Sequence, residues 1–340
     1  MLGSRFIAEK EINYLNTTIE KPLASHSIKT GDTINLKNLD FRRTSQDGLT
    51  VNEIKESMKK GCIFARDIQA GKTITSNDLK KARIGVVIAC RMKSTRLKHK
   101  AILPIGQFNS IERCIINAKK IRSADEIILA TSTLAEDQVL KKYALKHKIK
   151  FFAGEPDDVI KRYLAAAEKY KLDVIIRITG DCPVISPEIA EYLLEKHFFA
   201  GADYTAARQF TIGFNSEIYS VNALKSVIRY LGGAPHSEYM TWYMQNNQDI
   251  FNINLVDLPN DWIRPYRLTL DEQADLEMFR MLFKRLGTRP STMQNIYKVM
   301  DNDPSISKIN AHIALKFKTN QKLIKMLNKE TRIKLPKTIN

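Results

Sequence analysis

At 340 residues, 44% of them hydrophobic, the chain has material for one large domain and a small one, which excludes a peptide-sized module and a disordered polymer. A net charge of +17 admits nucleic acid, a membrane surface or an acidic metabolite as partner, but the excess is spread along the chain and no aromatic-interleaved motif stands out, so nucleic acid is not the expected one. Cys62, Cys90, Cys114 and Cys182 stand far apart with no CxxC pairing, and neither a signal-type N-terminus nor a run of about 18 apolar residues occurs, which excludes a disulfide framework or zinc site and predicts a cytoplasmic protein with no membrane span.

Taken in order, the first 20 residues offer no chemistry. A weak internal repeat follows: Ser27 to Ile34, closing on Leu39, echoes Asp67 to Ile74, closing on Leu79. Each copy has an isoleucine, a glycine in a tight turn and a β-branched pair, which predicts two hairpin-like units. Between them, Leu49 to Lys60 has helical spacing through Leu49, Ile54 and Met58, with Thr50 placed to cap it. This segment, Lys21 to Arg83, resembles the SAF or antifreeze-like domain, a small β-clip module at the C-terminus of sialic acid synthases. A domain over 1–83 is expected.

From Gly85 the pattern becomes alternating strands and helices, the mark of a mostly parallel sheet, over a domain of 84–290. Val86–Cys90 predicts a buried strand, and the loop after it carries Arg91, Lys93, Ser94, Arg96, Lys98 and Lys100. Forked guanidinium donors and point-charge ammonium groups crowded at the carboxyl edge of a sheet suit a polyphosphate. Helices are expected over Ser110–Ile121, Asp137–His147, Asp157–Tyr170, Ile189–Phe198, Asn222–Tyr230, Ser237–Asn246 and Gln273–Leu286. Strands are expected over Glu126–Ala130, Lys150–Ala153, Val174–Ile178, Phe251–Val256 and Arg267–Leu270, with a less regular stretch from Asp203 to Tyr219. A basic helical extension over 291–340 closes the chain; its lysines, Lys316, Lys318, Lys322, Lys325, Lys329, Lys334 and Lys337 with Arg332, read as a solvated tail.

Two carboxylates complete the expected site. Asp181 follows the strand at Val174–Ile178, with Gly180 allowing close approach, and Asp271 follows Leu268-Thr269-Leu270. Carboxylates at the ends of two strands can share Mg²⁺, which takes oxygen ligands and keeps waters and phosphate oxygens. A turn role for Asp181 and a helix N-cap role for Asp271 are the plainer alternatives.

Ala89-Cys90-Arg91-Met92-Lys93-Ser94-Thr95-Arg96-Leu97, then Lys100, resembles the "ARxxSTRLPGK" signature of the cytidylyltransferases that activate sugar acids, the CMP-Kdo and CMP-sialate synthetases. Arg177 to Ile185, Arg267 to Asp271, Glu155 to Tyr163, Gly213 to Ser220 and Lys308 to Ile313 are similar to the spore-coat-polysaccharide, or SpsF-like, branch of that family. The resemblance implies a Rossmann-like α/β sheet, CTP and a sugar acid as substrates, Mg²⁺ and a homodimer. It implies that Arg91, Ser94, Arg96 and Lys100 hold the triphosphate and that Asp181 and Asp271 hold the metal. Arg162 and Thr179 would line the nucleotide side, and Gly213, Glu217, His236 and Arg267 the acceptor sugar. The signature's Pro-Gly is Lys98-His99 here, a position where glycine serves unusual backbone conformations. A non-catalytic scaffold and a glycosyltransferase of related fold are the alternatives; the STRL loop and the lack of an obvious DxD motif count against the latter.

Overall fold

The computed structural model describes residues 10–11, 14, 18–314 and 320–334. It divides into two compact units: Met1–Ala82 with Phe198–Ala202, and Arg83–His197 with Asp203–Asn340. Among the described residues no helix is long and apolar enough to cross a membrane.

In the first unit, β1 (Glu20–Ala24) pairs antiparallel with β2 (Leu39–Arg43), and β3 (Cys62–Phe64) with β4 (Leu79–Lys81). The sequence repeat is a structural one. Ile28 and Ile68 exchange both backbone hydrogen bonds at 2.9 Å, and the bond from Gly31 N to Phe64 O is mirrored by Gly71 N to Ala24 O, both at 2.8 Å. Each copy then makes a short 3₁₀ turn, Leu36–Asn38 and Ser76–Asp78. Because equivalent backbone groups satisfy one another, the two copies build one core, with Ile28, Ile34 and Leu39 meeting Ile68 and Ile74. Helix α1 (Val51–Lys59) adds Ile54 and Met58 to it, as the spacing predicts. Thr50 caps it reciprocally: its Oγ1 accepts from Glu53 N at 3.3 Å while the Glu53 carboxylate accepts from Thr50 N at 2.7 Å.

The second unit, a mixed α/β body, holds a two-stranded hairpin of β6 (Pro104–Ile105) and β7 (Phe108–Asn109) and a seven-stranded sheet. Its central strands are β5 (Ile84–Ala89), β8 (Glu126–Ser132) and β10 (Val174–Thr179), with β9 (Lys150–Gly154) at one edge. These four are parallel. On the other side β12 (Glu217–Ser220) runs antiparallel to both β10 and β11 (Tyr204–Ala207), and β13 (Ile253–Val256) closes that edge parallel to β11, so the order is β13-β11-β12-β10-β5-β8-β9. Val86, Val87 and Ile88 are fully buried, the signature of a strand covered on both faces. Helix α4 (Val159–Tyr170) packs Ile160, Tyr163 and Ala167 into the same core as Tyr204 and Tyr219.

Three expected elements differ. Arg267–Leu270 forms no strand: it makes one bridge, Arg267 to Ile212, and Leu270 N instead bonds Asp181 O at 2.8 Å. Helix Asp137–His147 is a 3₁₀ segment, Ala135–Leu140, followed by a short α-helix, Lys141–Lys146, because Asp137 turns inward to serve a loop. Ser237–Asn246 is likewise a 3₁₀ turn, Ser237–Tyr239, then a helix, Met240–Gln245.

The basic extension is docked where it is described. Lys316, Lys318 and Lys337 lie outside the described residues, and Lys322, Lys325, Lys329 and Lys334 are exposed. Thr331 and Ile333, however, are buried. Asn247 Nδ2 donates to Thr331 O at 2.9 Å, and Asn247 Oδ1 accepts from Ile333 N at 2.8 Å, so this segment is part of the core rather than a solvated tail.

Candidate active site

β5 and β10 are parallel neighbours, so the loop after Ala89 and the turn after Thr179 emerge at the same carboxyl edge. Gly180 lets them touch: a Cβ there would lie 2.8 Å from the Cβ of Cys90. The basic loop is pinned from below, since Met92 N donates to the buried Asp137 carboxylate at 2.5 Å. Asp271 is brought alongside by the bond from Leu270 N to Asp181 O and by Thr269 Oγ1 donating to the same carbonyl at 3.3 Å.

At the meeting point Lys100 Nζ donates to Asp181 Oδ2 at 2.8 Å and to Asp271 Oδ1 at 2.7 Å. Arg96 reaches Asp271 at 3.0 Å and Glu272 at 3.1 Å. Arg91, on the exposed side, pairs with Glu238 at 3.1 Å. The cap of the following helix, α8 (Gln273–Leu286), falls to Glu272 and Asp275, which leaves the Asp271 side chain for the cations. Asp275 was not singled out by the sequence, yet it organises this corner. Its carboxylate accepts from Arg267 Nε and Nη2 at 2.8 and 3.0 Å, from the Asp271 and Glu272 amides at 2.9 and 3.0 Å, and from Asn310 Nδ2 at 2.9 Å. The acidic residue three positions after Glu272, at the start of a helix, is the sequence signal by which it could be found.

Of the remaining expected residues, Ser94 lies in the basic loop and Thr179 ends β10, its hydroxyl against Cys182 Sγ at 3.3 Å. Arg162 is buried and donates to the Glu155 and Pro156 carbonyls at 2.7 to 2.9 Å, so it shapes that loop. Arg267 belongs to the Asp271 corner, and so does Gly213. The φ of Gly213 is +94°, and a side chain there would run into the Leu268 carbonyl. Glu217 lies on β12, the antiparallel neighbour of β10. Buried Glu217 binds Arg177, Tyr204 OH and Thr241 Oγ1, while His236 caps the turn that carries Glu238. Arg177 Nη2 also reaches Glu238 O at 3.5 Å.

His99 takes φ 53° and ψ 29°, the left-handed conformation that glycine adopts without strain, at the position where the signature has glycine. Histidine is among the residues that tolerate this region better than most, so the turn survives the exchange. His99→Gly is expected to stabilise the chain by about 1 kcal/mol, net of the greater freedom of glycine when unfolded, read as a higher urea midpoint at unchanged slope.

Burial alone would raise the Asp181 carboxyl and lower the Lys100 ammonium, but each is outweighed by the other: Asp181 is held below the usual carboxylate range, chiefly by Lys100, and Lys100 above the usual lysine value, by Asp181 and then Asp271. Since Asp181 is depressed, its contribution to stability is present above the unfolded carboxylate value of about 4 and is lost as pH falls through its lower folded value. Since Lys100 is raised, its contribution is present below the unfolded lysine value of about 10.4 and is lost as pH rises through its higher folded value. The stability difference between the natural chain and Asp181→Asn should therefore be flat from about pH 5 to pH 10 and shrink below about pH 4 in urea titrations.

Among the described residues no three His, Cys, Asp or Glu side chains converge as a metal cage. Two carboxylates that already share one cation do fit Mg²⁺, which fills its remaining positions with waters and phosphate oxygens. Burial, followed by the Asp181 charge, pushes the Cys90 and Cys182 thiols up to about 12, so neither is a thiolate nucleophile near neutral pH.

The sequence profile of the cytidylyltransferase family matches residues 85–301. The spore coat polysaccharide biosynthesis protein SpsF of Bacillus subtilis is 29% identical over 210 residues, covering 60% of this chain and 88% of that protein. An uncharacterized protein of Methanocaldococcus jannaschii, MJ1063, is 30% identical over 235 residues, 68% of this chain and 95% of its own. Among solved structures, a cytidylyltransferase from Leptospira borgpetersenii superposes with a TM-score of 0.63 at 25% identity, over 69% of this chain and 99% of that one.

Proposed function

The chain belongs to the cytidylyltransferase family, and from that premise we propose that it transfers the cytidylyl group of CTP to a sugar acid of the Kdo or nonulosonic class. The products are a CMP-sugar and pyrophosphate, made in the cytoplasm for a surface polysaccharide. The observation that carries the reading is the convergence of Lys100 on Asp181 and Asp271 at 2.8 and 2.7 Å, beside Arg96.

Arg91, Ser94, Arg96 and Lys100 would hold the triphosphate, their charges offsetting those of the β- and γ-phosphates. Asp181 and Asp271 would hold Mg²⁺, which when bound supplies charge neutralisation at the reacting phosphate. The acceptor hydroxyl forms the new bond to the α-phosphorus and releases its proton to solvent as the bond to the pyrophosphate oxygen breaks. Chemistry of this kind needs positioning more than a protein nucleophile. Thr179 and, through the Glu155–Pro156 loop, Arg162 would shape the nucleotide side. Glu217 and His236, with Arg177, would face one part of the acceptor, while Gly213 and Arg267 set the Asp271 corner against which it lies.

The first unit fits a SAF-type β-clip, because its two copies close on one another through matched turns. A module otherwise found in sialic acid synthases favours a nonulosonic acid as acceptor. The family resemblance also implies a homodimer, which sedimentation equilibrium would test.

The acceptor class is tested by pyrophosphate release from CTP with Mg²⁺ across Kdo, N-acetylneuraminate, legionaminate and pseudaminate, set against neutral hexoses and sugar phosphates. Release with one of the acids alone is expected. Release with a sugar phosphate alone would overturn the sugar-acid assignment.

A further inference from the structure

The cation that joins the two carboxylates is the chain's own. Lys100 Nζ stands within hydrogen-bond distance of Asp181 Oδ2 and Asp271 Oδ1 together, at 2.8 and 2.7 Å, with its side chain only 18% exposed. Asp271 carries Arg96 at 3.0 Å as well. The three cations assigned to the triphosphate, Arg91, Arg96 and Lys100, thus each already have a carboxylate partner, Arg91 pairing with Glu238 at 3.1 Å. An ammonium and a divalent cation compete for the same converging oxygens, because either one seated between the two carboxylates repels the other.

We propose that Lys100 and the divalent cation are alternative occupants of the place between Asp181 and Asp271, so that the triphosphate creates the metal site by drawing Lys100 off the carboxylates. This rests on the reading that those two carboxylates are the metal's ligands. Lys100 then has two successive partners, carboxylates first and phosphate oxygens second, and it is the residue that couples nucleotide to metal. Coupling of this kind is reciprocal: the nucleotide tightens metal binding by the factor by which the metal tightens nucleotide binding. Arg96 contributes in the same sense, because leaving Asp271 for a phosphate frees an oxygen of that carboxylate.

The test uses Mn²⁺ alone, without nucleotide, titrated into the full chain and followed by the electron paramagnetic resonance of the free ion. Lys100→Met is expected to bind Mn²⁺ about tenfold more tightly than the natural chain. Lys100→Met with Asp181→Asn should lose that gain. Lys93→Met, which removes a charge from the same loop without touching either carboxylate, should gain far less. Lys100→Gln serves as a second variant if circular dichroism shows Lys100→Met to be unfolded. Equal affinity in the natural chain and Lys100→Met, with weakening in Asp181→Asn, would overturn the exchange and leave the carboxylates as ligands. Affinity unchanged in both Asp181→Asn and Asp271→Asn would overturn the ligand assignment, and the exchange with it.

Discussion

Asp181→Asn is expected to slow pyrophosphate release from CTP by about a thousandfold while leaving the fold intact. The substitution keeps the size of the side chain and removes the charge that faces Lys100 Nζ at 2.8 Å. The other anchors of this turn are not on the side chain: Asp181 O accepts from Leu270 N at 2.8 Å and from Thr269 Oγ1 at 3.3 Å, so the backbone bonds that bring Asp271 alongside survive. The loss should therefore fall on turnover at saturating CTP, measured by a coupled pyrophosphate assay. A rise in KM with unchanged kcat would instead mark Asp181 as a residue that only binds substrate.

Asp275→Ala should have the largest effect on stability, about 3–5 kcal/mol by urea denaturation, because it leaves a buried arginine with only its longer contact to Asp271, at 3.3 Å. The Arg267 side chain is 5% exposed and that of Asp275 wholly buried, so water cannot replace the lost carboxylate. The same change frees the amides of Asp271 and Glu272 and the Asn310 side chain. Turnover should fall too, since Asp271 loses the bond that fixes its backbone. Asp275→Asn keeps an acceptor for some of these donors and is expected to cost clearly less. Equal losses in the two variants would mean that the charge, and not the network, is what matters.

The sequence made the site's skeleton legible because its parts are local. A wholly apolar run ending in a basic loop, and two aspartates each following a short apolar segment, are patterns that physical chemistry reads without knowing the fold. The apolar segment Leu268-Thr269-Leu270 reads as a strand but is not one: Leu268 N bonds Ile212 O and Leu270 N bonds Asp181 O, so it links two other segments instead of joining a ladder. What stayed hidden depends on partners far away in the chain. Asp137 opens an apparent helix but turns inward to hold Met92 N. Arg177 stands in the run Arg177 to Ile185, but its pairing with Glu217 follows from the antiparallel register of β10 and β12, which that run does not reveal. At the C-terminus, Thr331 and Ile333 are two buried residues in a segment whose lysines read as solvated.

The decisive measurement uses each of the four nucleoside triphosphates in turn, labelled at the α-phosphate, with Mg²⁺ and a sugar acid. Label from CTP is expected on the acid, with pyrophosphate released in equal amount, no comparable transfer from the other three triphosphates, and loss of both products in Asp181→Asn. Release of the label as free CMP or as inorganic phosphate, or transfer that persists undiminished in Asp181→Asn, would contradict it.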